Sequence, residues 1–210
     1  MYCKYKFQLR LFTLFLAGKR KHEKNTSDLR DSVTGVRVGA AAGSKGPRIF
    51  LLACKKLKNS SFKIGNFEKV HGAPLFSHAV PTPNAYMTDE VWEAIAEPLA
   101  KGIQAMPVFK DHPDWWCYLS LDGFGSHLSP VALEVFAKYK ILVSKEEGDT
   151  SQVSQAYDQH VAKADKRWTR EILDGYRFHS SVPVDQYSLM LIANQALNKV
   201  TPETWSNSFS

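Results

Sequence analysis

The sequence predicts an α/β domain, and three observations carry that expectation. Four apolar runs have the length of strands: Val36–Ala42, Arg48–Cys54, Trp115–Leu121 and Lys140–Ser144. Stretches of helical spacing alternate with them, beginning near Thr88, Ser129, Ser151 and Val184. The composition, 44% hydrophobic over 210 residues, is that of a globular chain with enough material for a core. The order strand, strand, helix, strand, helix, strand, helix is that of a sheet covered by helices.

Taken from the amino end, Leu11–Gly18 is an apolar run preceded by Lys4, Lys6 and Arg10. It is too short to cross a bilayer. A buried strand or a wrongly chosen start codon accounts for it better than the signal peptide it faintly resembles. Residues 19–35 are polar and aperiodic. Residues 1–35 are therefore expected to be a basic, poorly ordered or misassigned extension, and residues 36–210 the domain.

The runs at 36–42 and 48–54 read as a hairpin joined by the turn from Gly43 to Pro47. Residues 55–86, rich in Lys, Ser, Gly, Pro and Asn, read as a long loop. Thr88 then caps a helix with Asp89 and Glu90 in its first turn, and Val91, Trp92, Ile95, Leu99, Ile103 and Met106 recur along one face. Pro98 is expected to bend or split it. Trp115–Leu121 is a buried strand running straight into Asp122 and Gly123. Ser129 and Pro130 open the next helix, since proline suits the first helical position. The strand Lys140–Ser144 follows, then a turn at 145–150. Two long helices are expected over about Ser151–Arg177 and Val184–Lys199.

The charge is unevenly placed. Residues 1–70 hold sixteen Lys/Arg and four Asp/Glu, and residues 71–210 hold eleven and seventeen. A basic end beside an acidic body suits a polyanion partner, although a solvated basic tail would give the same counts. Cys3, Cys54 and Cys117 are odd in number and widely spaced, which argues against a disulfide framework and fits a reducing compartment. There is no CxxC to suggest structural zinc.

Asp122 is the first candidate for chemistry. It closes an apolar strand and precedes Gly123, Gly125 and Ser126, so a ligand can approach it closely. A turn aspartate making its own Asx hydrogen bond is the plainer account. His127 could cap the following helix or stand near a metal or phosphate. Asp158 is by itself a solvated helical acid. Together the two aspartates gain meaning: 36 positions, one helix and one strand separate them, a path that can return the chain to the same sheet edge. Converging carboxylates repel unless a divalent cation lies between them.

Here LDGFGSHLSP resembles the second-aspartate motif of the DDE superfamily endonuclease domain of pogo-like and centromere-protein-B-like transposases. KILVSKEEGDTSQVSQAYDQHVAKADKR is similar to the stretch leading through a glutamine to that family's third acid. RVGAAAGSKGPRIFLLACKK, NAYMTDEVWEAIAEPL and TPETWSNSF resemble flanking segments, so that the likeness covers roughly residues 36–208. It implies an RNase H-like core, a mixed sheet flanked by helices, cut short at both ends. It implies metal-dependent cleavage and strand transfer of DNA, with Mg²⁺ or Mn²⁺ held by Asp122 and Asp158. It also implies a DNA partner, a homodimer and a nuclear location. The family's proline before the third acid is replaced by Ala156 and Tyr157. No acid follows an apolar strand where the first aspartate belongs, and Asp28 and Asp31 are the candidates left for it. An incomplete triad implies lost activity.

Nucleic-acid contacts are expected at Lys55, Lys56, Lys58 and His127, with Lys4, Lys6, Lys19, Arg20 and Lys21 adding positive charge. Two other functions fit the sequence. One is a non-catalytic domesticated module that binds DNA or a protein. The other is an unrelated α/β enzyme, which would need an enclosed apolar pocket. Three further signals are weaker. Gly39–Lys45 lacks phosphate-loop spacing. His112, Cys117 and His127 are too irregular for zinc. Of Trp115 and Trp116, neighbours on a strand, at least one packs inward; Trp168 and Trp205 read as packing residues.

Overall fold

A computed structural model describes residues 5–15, 32–121, 129–145 and 160–207. The sheet begins with three strands, β1 (Tyr5–Phe15), β2 (Ser32–Ala40) and β3 (Lys45–Ala53). A 3-10 turn at Ser60–Phe62, the short helix α1 (Phe67–His71) and β4 (His78–Thr82) follow. Then come α2 (Asp89–Gln104), α3 (Pro107–Lys110), β5 (Cys117–Leu121), α4 (Pro130–Lys138) and β6 (Ile141–Lys145). Three helices end the described chain: α5 (Ala162–His179), α6 (Gln186–Lys199) and α7 (Pro202–Asn207).

The six strands lie in the order β4-β3-β2-β1-β5-β6. β1, β2 and β3 form an antiparallel meander, while β5 runs parallel to β1, β6 to β5, and β4 to β3. Without β4, which adds one strand at an edge, this is the RNase H-like arrangement. β1 pairs on both sides, through Phe7–Phe15 with β2 and through Tyr5–Leu9 with β5. Residues 5–15 and 32–35 thus belong to the sheet, ahead of the boundary expected at 36. Pairing with distant strands orders them, which no local pattern announces. The apolar run foreseen at Leu11–Gly18 is carried by β1 as far as Phe15.

The sheet is covered on both faces, because successive side chains of a strand point to opposite sides. Ile49 and Leu51 of β3 join Val36, Val38 and Ala40 of β2 and Cys117, Leu119 and Leu121 of β5 against Trp92, Ile95 and Leu99 of α2 and Phe136 of α4. Phe50 and Leu52 turn the other way, onto Tyr187, Met190 and Ala193 of α6. The Thr88 hydroxyl accepts the Val91 N–H at 3.4 Å, the expected cap. α2 continues unbroken through Pro98, so the expected split does not occur.

The stretch 55–86 is not a plain loop. Phe62 and Phe67 are buried against Tyr187 and Phe50, and this anchoring holds the 3-10 turn and α1 in place. β4 is five residues long and gains its order from pairing with β3. At the far end of the chain, Trp205 of α7 lies on β2 over Gly39, where an added Cβ would come within 1.8 Å of the indole ring. The β2–β3 turn needs Gly43, which adopts φ +84° with Pro202 close against it.

Candidate nucleic-acid interface

Asp122, His127 and Asp158 lie outside the described residues, as do Asp28 and Asp31. The elements leading to them are placed. β5 ends at Leu121, which pairs with Leu9 in the middle of β1. The eleven residues of β1, YKFQLRLFTLF, include no aspartate or glutamate. The strand beside β5 therefore offers no carboxylate partner to an acid at its end.

One acid of α5 does turn towards the sheet. Asp165 is 5% exposed and forms an ion pair with Arg37 of β2, itself 1% exposed. The Thr169 hydroxyl, one turn further on, reaches the other Asp165 oxygen at 3.5 Å. Arg37 is the cross-strand partner of both Arg10 on β1 and Arg48 on β3. Three arginines therefore occupy one row across the meander. Arg48 donates to the Asn194 carbonyl at 2.9 Å, to its side-chain oxygen at 2.6 Å and to the Asn198 side-chain oxygen at 2.8 Å. The Asn194 amide in turn donates to the His71 carbonyl at 2.8 Å, tying α6 to α1. Buried charge of this kind persists only when hydrogen-bonded. The sequence held a signal for this network, since Arg37 and Arg48 interrupt two otherwise apolar strands.

Among the described residues no three His, Cys, Asp or Glu side chains gather into a metal-binding group. Asp165, the inward acid, is already neutralised by a guanidinium. Of the residues in the zinc arrangement discounted above, His112 stacks on Trp115 with centroids 3.6 Å apart and Cys117 is buried on β5, while His127 lies outside the described residues. Trp205 packs in a small core with Leu197 and Val200, and Trp168 packs against that core, as expected.

The lysines following β3 are described and exposed. Lys55, Lys56, Lys58 and Lys63 line a concave surface of about 470 Å³ together with Asn59 and Ser60. A neighbouring hollow of about 640 Å³ is lined by Cys54, Lys55, Pro81 and Thr82. β3 and β4 run parallel to β1 and β5, so the rim lies in the direction in which all four strands end, but further along the sheet than Leu121, which is level with Leu9 while Leu52 is level, through Val33, with Leu14. The rim is built on fixed parts. The Asn59 side chain accepts the Ser61 N–H at 2.9 Å and caps the 3-10 turn, and Tyr187 Oη accepts the Lys58 N–H at 3.0 Å. Lys58 Nζ also sits 3.0 Å from Asp185 and 5.0 Å from the Tyr187 ring centre. Burial alone would raise the Asp185 carboxyl, but hydrogen bonds from Ser188 and Lys58 outweigh it and hold the group below its ordinary value. Lys55 and Lys56 point their charge at solvent, so the rim presents more positive charge than Asp185 offsets.

No family model and no curated protein matches this chain. Among solved structures, the Mos1 transposase paired-end complex with left transposon end superimposes on 97% of this chain at 7% identity, with a TM-score of 0.47. This chain spans 54% of that one, about half its length. A likeness that distant assigns neither residues nor activity.

Proposed function

We propose that this chain is a nucleic-acid-binding domain derived from a DDE-type transposase, and that it binds DNA without cutting it. One observation carries the proposal: Lys55, Lys56, Lys58 and Lys63 form a basic concavity beyond the carboxyl end of β3, and the carboxyl ends of strands are where open α/β sheets bind ligands. The LDGFGSHLSP motif at the end of β5 supports the transposase origin. In that origin Asp122 and Asp158 are ligands of Mg²⁺ or Mn²⁺, and His127 is a phosphate contact. β1 carries no carboxylate over Tyr5–Phe15, which supports binding without cleavage. A nuclear location and a homodimer belong to the same origin.

Lysines on phosphates release counterions, so affinity should fall linearly on a log–log plot against salt, with a slope of about −0.9 per contact. The test is fluorescence anisotropy of a 30-base-pair duplex titrated at several salt concentrations. The triple variant Lys55→Gln/Lys56→Gln/Lys58→Gln should bind more weakly, with a slope shallower by about 2 to 3. Plasmid incubated with the protein and Mg²⁺ or Mn²⁺ should stay supercoiled. Wild-type binding that ignores salt, or nicking abolished by Asp122→Asn, would overturn the proposal.

A further inference from the structure

We infer that the outer face of α5 is a second phosphate-contact surface, which tracks a DNA backbone over about two-thirds of a helical turn. The inference rests on the proposal that the chain binds DNA, but not on the lysines that follow β3.

The sequence of α5 divides cleanly by face. Asp165 and Thr169 turn inward and are buried, as is Ala162. Lys163, Lys166, Arg167, Arg170 and Arg177 are all exposed. At 100° per residue these five cations fall within one outward arc of about 100°. Among the described residues of α5, Asp174 is the one acid in that arc. Glu171 stands at its edge and is engaged by Lys199 at 3.9 Å.

One local effect opposes this arrangement. Lys163, Lys166, Arg167 and Arg170 are spaced three and four apart, where like charges repel. Asp165, which lies among them in sequence, is turned away into the Arg37 pair and does not relieve it. A helix face crowded with cations gains from a polyanion, which removes that penalty.

The dimensions suit a duplex. From Lys163 to Arg177 the rise is about 21 Å, the axial length of roughly six phosphates along one strand. Ion pairing with Asp165 and the packing of α5 on α6 hold the helix rigid, so the charges are presented with their spacing fixed. Arg167 lies over Trp168, 4.8 Å from the ring centre, and part of its role is to pack.

The experiment uses the full chain and leaves Arg167 in place. Lys163→Gln/Lys166→Gln/Arg170→Gln/Arg177→Gln is titrated with the same duplex, beside the variant altered at 55, 56 and 58. The α5 variant should keep its circular dichroism and lower the salt slope by about 3.6. If it does not fold, the pairs Lys163→Gln/Lys166→Gln and Arg170→Gln/Arg177→Gln should each lower the slope by about 2. A lowered slope supports the inference, whatever the lysine variant does. An unchanged slope in a chain that binds DNA overturns it and leaves the lysine rim standing. Wild-type chain that ignores DNA but sediments with phosphatidylserine vesicles, and loses them with the α5 variant, also overturns it. Binding to neither overturns both proposals.

Discussion

Arg37 and Asp165, 128 positions apart in the chain, form a buried ion pair that fastens α5 to β2. Breaking one side takes the ion-pair partner from a buried charge. Asp165→Asn should therefore cost about 3–5 kcal/mol, read from urea denaturation. The double variant Arg37→Met/Asp165→Leu removes both charges and should recover most of that loss. A double variant as unstable as the single one would mean that the pair itself, not the charge left behind, holds the helix.

Gly39 is a packing position. Its missing side chain is the space Trp205 fills, so Gly39→Ala should force α7 off β2. Overpacking of this kind costs about 1–3 kcal/mol. Trp205 emission should shift to the red in the folded variant, reporting an indole moved into water. An unshifted spectrum with unchanged stability would contradict the contact.

Asp185 both caps α6, accepting the Ser188 N–H at 2.8 Å, and restrains Lys58. Asp185→Asn keeps an acceptor for the cap and releases the lysine. Exposed pairs of this kind contribute about 0–1 kcal/mol, so stability should barely move. DNA affinity should rise, with a steeper salt dependence in anisotropy. Weaker binding would place Asp185 in the interface itself.

His78 gives the fold a pH dependence. Burial lowers its pKa, against smaller raising effects from the Phe76 carbonyl and Glu68. The folded chain thus favours neutral imidazole, and the unfolded chain binds the proton more readily. The corresponding stability is complete above the unfolded value, about 6.5, and is lost as pH falls below it. His71, also lowered by burial, acts in the same direction. The urea midpoint should drop between pH 7.5 and 5.5, and His78→Gln should flatten that drop.

Much of the sheet was legible from the sequence because its signals are local. The turn at Gly43, the Thr88 cap and the Ser129-Pro130 start each act within a few residues. β1 was harder, because it is held by partners at 32–40 and 117–121. α1 and β4 are too short for any period to register, and Phe62 and Phe67 settle their place only by packing on α6. The expected lysines do line one concave surface. The basic stripe of α5 is not legible in sequence because the helix's buried face is set by Asp165 pairing with Arg37, 128 positions away.

β1 has a consequence for how the chain comes together. It is made first, yet its parallel neighbour β5 emerges more than a hundred residues later. The meander β1–β3 can close locally while synthesis continues, leaving one edge of β1 open. Only the arrival of residues 117–121 shuts that edge, and such long-range pairing is slow. A version shortened to start at β2 would deprive β2 and β5 of their common neighbour. It would divide one sheet into two fragments with sticky margins, prone to join with other copies before joining each other.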